Sequence, residues 1–288
     1  MRLLCFLFPL TLLGQFDYER GAPLDARPEP MSERATARIW GGTFAGTRGA
    51  RVSYVMVEPK LRGRAARVRH PGVLFQHGGG QSMSNYVSEA LILAELGVTS
   101  LLVDAVGAES RESLVELVIT ERRALDLLLR QVGVDAKRIG YAGHSYGGFA
   151  GAVLTGMEPR ISAFVLMGAV PSLARHIRES ESSYWAPMRA RPDLEHVLAG
   201  IVEVDADRYL PRARAAVLVQ CARFDTPDNM KACPEVHRLA GGPKTLTWYD
   251  DDHNFSSFEA MRDRLYWLAG QFKLRGLDAV LQRWARKK

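Results

Sequence analysis

The most informative stretch of this sequence is RIGYAGHSYGG, residues 138–148. It opens as an apolar, strand-like run, passes through Gly143, Ser145 and Gly147, and leads into small residues typical of a closely packed helix. Glycine at positions 143 and 147 removes the side chains that would clash where a strand turns sharply into a helix. Ser145 is therefore expected on a strand–turn–helix, at the amino end of the helix, where a serine is suited to act as a nucleophile.

On both sides of this turn, apolar runs of strand length alternate with longer helical patterns. Such alternation predicts an α/β fold with a mostly parallel central sheet flanked by helices. Residues 39–44 and 51–57 predict an opening antiparallel hairpin instead. The remaining predicted strands cover residues 72–76, 98–103, 138–142, 161–167, 215–220 and 245–249, and the predicted helices cover residues 84–96, 110–132, 149–155 and 228–239, followed by a long terminal helix.

The pattern also predicts how the chain is divided. Residues 38–288 are expected to form one catalytic domain, because a chain of 288 residues is at the upper end for a single domain. Residues 171–210 break the alternation with Arg, Glu, Ser, Pro and aromatic residues, which predicts a small helical cap inserted in that domain. Residues 15–37, rich in Pro, Arg and Glu, are expected to form an extended N-terminal arm.

A glycine run follows the predicted strand 72–76. There, His77 precedes three consecutive glycines, which allow backbone N–H groups to turn inward without a side chain in the way. We expect the N–H of Tyr146 and that of Gly79 or Gly80 to form an oxyanion hole. His77 is expected to hold the loop through hydrogen bonds rather than to act as a base.

An acid and a base are expected after the serine, in the order Ser, Asp, His. Asp225 follows the predicted strand 215–220, and His253 follows the strand that ends near residue 249, so both belong to the edge of the sheet where loops converge on Ser145. Asp225 could instead have only a structural role, as the cap of the next helix. The acidic residues 250–252 compete for the acid role, but they lie very close to His253 along the chain.

Other classes of function find little support in the sequence. The net charge is +6, from 38 Lys and Arg against 32 Asp and Glu, but most basic residues are scattered between acidic ones and no nucleic-acid-binding pattern accompanies them. A solvated surface and no nucleic-acid partner are therefore expected. Without a His-Glu-x-x-His or paired Cys-x-x-Cys pattern, neither a metal nor a cofactor is expected. No feature specifies an oligomeric state.

The amino terminus and the cysteines bear on the compartment. Arg2 and the apolar run 3–13 predict a signal peptide over residues 1–14, too short to span a bilayer, so the mature chain is expected to be exported and not inserted in a membrane. The alternative is a true start at Met31, which would leave the protein cytoplasmic. Removal of the signal peptide would take Cys5 with it and leave Cys221 and Cys233. These two could form a disulfide or remain as two buried thiols.

These motifs resemble the dienelactone-hydrolase-like branch of the α/β-hydrolases, which overlaps with acetyl-xylan-esterase-like and prolyl-oligopeptidase-type catalytic domains. The resemblance covers roughly residues 16–275 and rests on residues 16–18 (Phe-Asp-Tyr), 77–82, 138–148 and 248–253. Similar bacterial proteins carry a signal peptide before the Phe-Asp-Tyr segment, so the resemblance also implies export. The chain departs from the pattern in three ways: it has serine in place of the cysteine nucleophile of dienelactone hydrolases, Asn254 in place of glycine after the histidine, and no preceding β-propeller.

The expected function is a serine hydrolase that cleaves small carboxylic esters through an acyl-enzyme intermediate. The triad would be Ser145, His253 and Asp225. Tyr184 and Trp185 in the cap are expected to line the acyl or alcohol site, although packing of the cap alone would also explain them. The alternatives are a serine peptidase of the prolyl-oligopeptidase type and a non-catalytic α/β-hydrolase scaffold.

Overall fold

The computed structural model describes residues 14–63, 65–104 and 109–286. The predicted signal peptide, except for Gly14, lies outside the described residues. None of the helices in the described part of the chain has the length and apolar character that a membrane span requires.

A single mixed sheet of nine strands runs through the described residues, in the order β1-β2-β3-β5-β4-β6-β7-β8-β9. Strands β4 to β9 pair in parallel, whereas β1, β2 and β3 pair antiparallel at one edge. The predicted α/β class, with its mostly parallel sheet and opening hairpin, is confirmed. The strands are β1 (Arg27–Glu33), β2 (Ala37–Ala45), β3 (Arg51–Pro59), β4 (His70–Gln76), β5 (Thr99–Val103), β6 (Val134–His144), β7 (Ala163–Met167), β8 (Ala216–Ala222) and β9 (Lys244–Tyr249).

Helices cover both faces of the sheet. Side chains alternate between the faces along each strand, so Leu74 packs in one apolar cluster while Val73 and Phe75 pack in the other. Helices α2, α3 and α7 belong to the first cluster, and α1, α8 and α9 to the second. The helices are α1 (Val87–Glu95), α2 (Arg111–Leu129), α3 (Tyr146–Thr155), α4 (Leu173–Glu179), α5 (Ala186–Arg189), α6 (Leu194–Val202), α7 (Pro227–Leu239), α8 (Phe258–Phe272) and α9 (Leu277–Ala285).

The expected long terminal helix is wrong in one respect, because it is two helices. Helix α8 ends at Phe272 and is followed by Lys273, which adopts a left-handed conformation with φ of 56°. Helix α9 starts after Gly276, whose φ is 89°. Only glycine adopts positive φ without a steric cost, so the sequence position of Gly276 marks the break.

The N-terminal arm is folded onto the body of the protein. Phe16 is fully buried against Tyr209, with ring centroids 5.6 Å apart in an edge-on arrangement. Arg122 of α2 donates from Nη1 to the carbonyl oxygen of Phe16 at 2.7 Å, and its guanidinium lies 4.8 Å from the centre of the Tyr18 ring. Part of the arm therefore connects α2 to the segment around Tyr209, and another part, β1, forms the outer strand of the sheet.

The segment predicted as a cap lies between β7 and β8 and carries α4, α5 and α6, with short 3₁₀ turns before α5 and after α6. Buried Asp205 anchors its first helix, accepting hydrogen bonds from Ser172 Oγ at 2.5 Å and from the N–H of Leu173 at 2.6 Å. Burial raises the pKa of Asp205 to about 6, although the two hydrogen bonds by themselves would lower it. Trp185 and Met188 pack in the same apolar cluster as α3, so the segment is an integral layer of the fold.

Cys221 and Cys233 form a disulfide. Their Cα atoms are 5.8 Å apart, and the bond joins the end of β8 to the middle of α7. Of the two alternatives left open by the sequence, the structure has the disulfide. The bond closes a short loop that carries Asp225.

Candidate active site

Ser145 occupies a strained turn between β6 and α3. Its backbone angles, φ of 52° and ψ of −110°, lie outside the regions that non-glycine residues prefer. Its N–H donates to the carbonyl oxygen of Met167 at 2.9 Å. The two glycines allow the turn: a Cβ at Gly143 would lie 2.2 Å from the carbonyl oxygen of Gly147, and one at Gly147 would lie 2.5 Å from that of Gln76. The sharp turn holds the serine at the amino end of α3.

Three predicted residues, contributed by three separate loops, meet at this point. Ser145 Oγ lies 3.0 Å from His253 Nε2, and Nδ1 of the same imidazole lies 2.8 Å from Asp225 Oδ2. The loops follow β6, β8 and β9, which end at the same edge of the parallel sheet. The imidazole is thus placed to take a proton from the serine while a carboxylate accepts from its other nitrogen.

Asp225 is held by more than the histidine. Its Oδ1 accepts from the N–H of Thr226 at 2.7 Å and from Asn229 Nδ2 at 2.8 Å, and its side chain is 3% exposed. Burial by itself would raise the pKa of Asp225, but the hydrogen bonds from His253, Asn229 and Thr226 outweigh it and hold that pKa below its ordinary value. The carboxylate therefore remains charged beside the imidazole.

The structure separates Asp225 from its alternatives. Thr226, rather than Asp225, caps α7, since its Oγ accepts from the N–H of Asn229. Asp251 accepts from the N–H groups of Asp252 and Ser257, and so shapes the loop around the histidine. The other two acidic neighbours are likewise engaged, Asp250 with Arg223 and Asp252 with the N–H of Asn254.

The glycine loop after β4 is fixed by side chains on both sides. His77 donates from Nδ1 to the carbonyl oxygen of Gly78 at 2.7 Å, and its Nε2 lies 2.9 Å from Asp104 Oδ1, in keeping with a holding role. Gly78 donates its N–H to Gln81 Oε1 at 3.1 Å, and Gln81 Nε2 donates to Asn254 Oδ1 at 3.1 Å. The loop is therefore tied to the loop that carries the histidine of the site.

His144 adds a second connection between the same loops. Its Nδ1 lies 2.8 Å from Gln81 Oε1 and its Nε2 lies 2.5 Å from the carbonyl oxygen of His253, so a neutral ring donates to one of these two acceptors. Burial, aided by the nearby His253, lowers the pKa of His144 to about 3. The sequence alone assigned no role to His144, which lies within the turn at Ser145, or to Asn229. The available signal for Asn229 was that it lies near Asp225 in the chain, in the first turn of α7.

A cavity of about 250 Å³ opens beside Ser145. Gly79 and Tyr146, two of the three predicted oxyanion-hole residues, line it, whereas Gly80 lines a different cavity. Tyr146 is the first residue of α3, where N–H groups have no acceptor within the helix. The cap contributes Tyr184 and Trp185 to the lining of this cavity. The apolar part of the lining is completed by Phe149, Val170 and Leu173.

No group of three His, Cys, Asp or Glu side chains that could hold a metal ion occurs among the described residues. Within that part of the chain, the site consists of a serine, an imidazole, a carboxylate and backbone N–H groups. Such a set can carry out nucleophilic attack and proton transfer on an acyl carbonyl.

Solved structures share this architecture. Acetyl xylan esterase 1 from Thermoanaerobacterium sp. JW/SL YS485 has a TM-score of 0.75 at 16% identity over 91% of this chain and 92% of that one. Acetyl xylan esterase from Paenibacillus sp. R4 has 0.76 at 17% identity over 91% and 99%. Pyrococcus horikoshii acylaminoacyl peptidase has 0.66 at 14% identity over 83% of this chain and 41% of that one. The chain has the α/β-hydrolase fold. No protein-family model matches it, and no curated protein has significant sequence similarity to it.

Proposed function

We propose that this protein is a serine hydrolase that cleaves small carboxylic esters. The observation that carries the proposal is the chain of contacts from Ser145 Oγ to His253 Nε2, at 3.0 Å, and from His253 Nδ1 to Asp225 Oδ2, at 2.8 Å. Both distances are within the reach that proton transfer and orientation of the base require.

The proposed reaction has two halves. His253 takes the proton of Ser145 as the serine oxygen attacks the ester carbonyl, and the N–H groups of Gly79 and Tyr146 bind the resulting oxyanion. The imidazolium then gives its proton to the alkoxide oxygen, the C–O bond breaks and the alcohol leaves. Water then attacks the acyl-enzyme while the same imidazole takes its proton. The imidazolium returns that proton to Ser145 Oγ as the bond between the acyl carbon and Oγ breaks, which releases the carboxylic acid and the free serine. Asp225 orients the imidazole and stabilises its charged form throughout.

The size and lining of the cavity favour a short acyl group. About 250 Å³ bounded by Phe149, Val170, Leu173 and Trp185 suits an acetyl or similarly small chain, whose methyl group these apolar side chains would contact. The names of the acetyl xylan esterases among the similar structures agree with this choice.

The direct test replaces the nucleophile. Ser145→Ala removes the attacking oxygen, so we expect the turnover of p-nitrophenyl acetate to fall by about 10⁴-fold or more, to a rate set by the remaining hydrogen-bond donors. Ser84→Ala, at an exposed serine beyond the glycine loop, is the matched control and should retain wild-type activity. Undiminished hydrolysis by the Ser145→Ala protein would contradict the proposal.

Labelling separates catalysis from a non-catalytic scaffold. A fluorophosphonate probe forms a covalent bond with an activated serine, so the wild-type protein is expected to be labelled and the Ser145→Ala variant not. A folded wild-type protein that resists the probe would favour the scaffold.

A peptidase is the second candidate, because acylaminoacyl peptidases and a puromycin-hydrolyzing peptidase are among the proteins of similar fold. The same serine, histidine and aspartate would then attack an amide, whose leaving amine needs the proton from His253. A panel of acylaminoacyl and prolyl p-nitroanilides, measured beside p-nitrophenyl acetate, distinguishes the two. We expect kcat/KM to be highest for the ester.

We also propose that the protein is exported. The Cys221–Cys233 disulfide supports this, since disulfides form and persist in oxidising compartments. Fractionation of expressing bacteria, with the full-length chain compared with one that begins at Met31, is expected to place only the former outside the cytoplasm. Cytoplasmic retention of both would refute export.

A further inference from the structure

His176, on α4, lies in the wall between two cavities. One is the cavity at Ser145, and the other, of about 370 Å³, lies on the far side of the imidazole. Among the described residues that line these two cavities, His176 is the one that both share, and its side chain is 9% exposed. The rest of the second cavity is formed mainly by Ser172, Arg175, Glu179, Asp228, Lys231 and Glu235.

The imidazole is held in the wall by two other elements. Its Nδ1 lies 3.4 Å from Asp228 Oδ2 at the start of α7. On the cap side, the Trp185 ring meets it edge-on, with centroids 6.1 Å apart and an angle of 86° between the planes. These contacts place the imidazole between α7 and the cap.

The two faces of this wall differ in chemistry. Toward Ser145 the neighbours of His176 include Leu173 and Trp185, whereas the far cavity is lined by charged groups of both signs. Burial lowers the pKa of His176, although Asp228 acts in the opposite direction. A neutral ring at the end of an apolar pocket stops a hydrocarbon chain by its bulk.

The side of the pocket at His176, whose side chain is 9% exposed, suits the acyl group rather than the alcohol. In a hydrolysis through Ser145 the alcohol leaves first and must reach solvent, while the acyl group stays attached to the enzyme until water releases it. Tyr184, another residue of the same cavity, is 59% exposed and marks the side that is open to solvent. A leaving alcohol has its exit there, and the acyl chain is left to point toward His176.

We propose that His176 is a specificity-determining residue that ends the acyl pocket and restricts the enzyme to short acyl chains. The proposal rests on the proposed function, because it assigns the acyl side of the same site. Removal of the imidazole would join the pocket to the second cavity and give longer chains a path.

The test compares p-nitrophenyl hexanoate with p-nitrophenyl acetate. A pocket wall that excludes a methylene group discriminates by about 10- to 200-fold, so His176→Ala is expected to raise the hexanoate-to-acetate ratio of kcat/KM by at least about tenfold. His176→Leu keeps the bulk without the ring nitrogens and should retain the wild-type ratio. His196→Ala, at an exposed histidine of α6, is the matched control and should leave the ratio unchanged.

Three results would overturn the proposal. They are an unchanged ratio in His176→Ala, an equal change in His176→Leu, and an equal change in the control. Should the alanine variant fail to fold, His176→Phe provides the opposite test. Its longer ring would project further into the pocket, so the butanoate-to-acetate ratio is expected to fall severalfold, and a constant ratio would count against the wall.

A binding measurement keeps this proposal separate from the proposed function. Calorimetry of hexanoate and octanoate with Ser145→Ala protein needs no turnover. Octanoate is expected to bind at least about tenfold more tightly to the double variant Ser145→Ala/His176→Ala than to Ser145→Ala. It is expected to bind no more tightly to Ser145→Ala/His176→Leu than to Ser145→Ala. If wild-type protein hydrolyses no ester, the proposed function fails, while this comparison still supports or refutes the wall.

Discussion

Glu121 is an ionisable residue in a fully buried position. It lies on α2 with no exposed surface, and neither of its carboxyl oxygens has a hydrogen-bond partner among the described residues. Burial raises the pKa of this carboxyl well above its ordinary value of 4.5. The folded protein therefore holds a proton that the unfolded chain releases at a lower pH.

That difference makes stability depend on pH. Below pH 4.5 the group is protonated in both states, and as pH rises only the unfolded chain gains from ionisation, so the folded state loses stability until the pH passes the folded pKa. Glu121→Gln abolishes this loss. We expect its unfolding free energy, relative to that of the wild type, to increase as the pH rises from 4.5 to about 8.

Urea denaturation of both proteins at the two pH values measures the effect. Glu112→Gln, at an exposed position of the same helix, is the control and should show no such pH-dependent gain. A difference between Glu121→Gln and wild type that stays constant with pH would contradict the burial argument.

At the level of single residues, the sequence predicted the three side chains that lie together at the candidate active site. It did not predict the side chains that contact them or line the cavity beside them. Ser145, Asp225 and His253 could be named because each follows a strand in the order that the fold imposes. The contacts of His144 and His176 could not, because each depends on how loops distant in the chain pack together. The choice between Gly79 and Gly80 likewise depended on which direction each residue of the loop faces.

Among the elements, the loop between β8 and α7 carries Asp225, and the disulfide closes this loop. Cys221 and Cys233 are 12 residues apart, and a cross-link over a loop of this size stabilises a protein by about 3 kcal/mol, mainly by restricting the unfolded chain. The enclosed segment includes Asp225 and Asn229, which both contact His253. Opening the loop is therefore expected to loosen the acid as well as the fold.

We expect dithiothreitol to lower both the melting temperature of the wild-type protein and its kcat for p-nitrophenyl acetate. The double variant Cys221→Ser/Cys233→Ser should show the lower values from the outset and should not respond to the reductant. Thermal melts and p-nitrophenyl acetate assays, each with and without dithiothreitol, check this. Full activity in the reduced wild-type protein would mean that the loop holds Asp225 without the bond.

The success of sequence reasoning differed between elements for a physical reason. Strands β4, β5 and β7 are almost entirely buried and read as apolar runs, so they were predicted to within two residues at each end. Strand β1 was predicted only as extended chain. Its seven residues are all exposed and include Pro28 and Pro30, so it has neither the apolar alternation nor the composition by which strands are recognised.

On the scale of the whole molecule, the arm joins parts that are distant in the chain. Phe16 packs against Tyr209 after the cap and accepts a hydrogen bond from Arg122 of α2 through its backbone. Arg122 also forms a buried ion pair with Glu158, at 3.0 Å between Nε and Oε2. The arm thus covers a charged network as well as part of the core.

Phe16→Ala is expected to lower the unfolding free energy by about 3 to 5 kcal/mol, because it removes a fully buried aromatic ring and leaves a cavity. Met31→Ala, at a side chain of the same arm that is 62% exposed, should change the free energy by less than about 0.5 kcal/mol. Denaturant titrations of both variants provide the comparison. Equal, small effects would show that the arm is dispensable for stability.

Strand β1 has a further consequence for how copies of this protein behave at high concentration. Outer strands present unpaired backbone groups on which a neighbouring chain can add, and this is how many β-rich proteins begin to aggregate. Proline lacks the N–H that such pairing needs, and Pro28 and Pro30 lie in the outermost strand. Behind it, β2 alternates buried and accessible positions and includes Trp40 and Phe44. The arm is therefore expected to reduce aggregation. It covers β2, which could pair with a strand of another molecule, with a strand that pairs poorly.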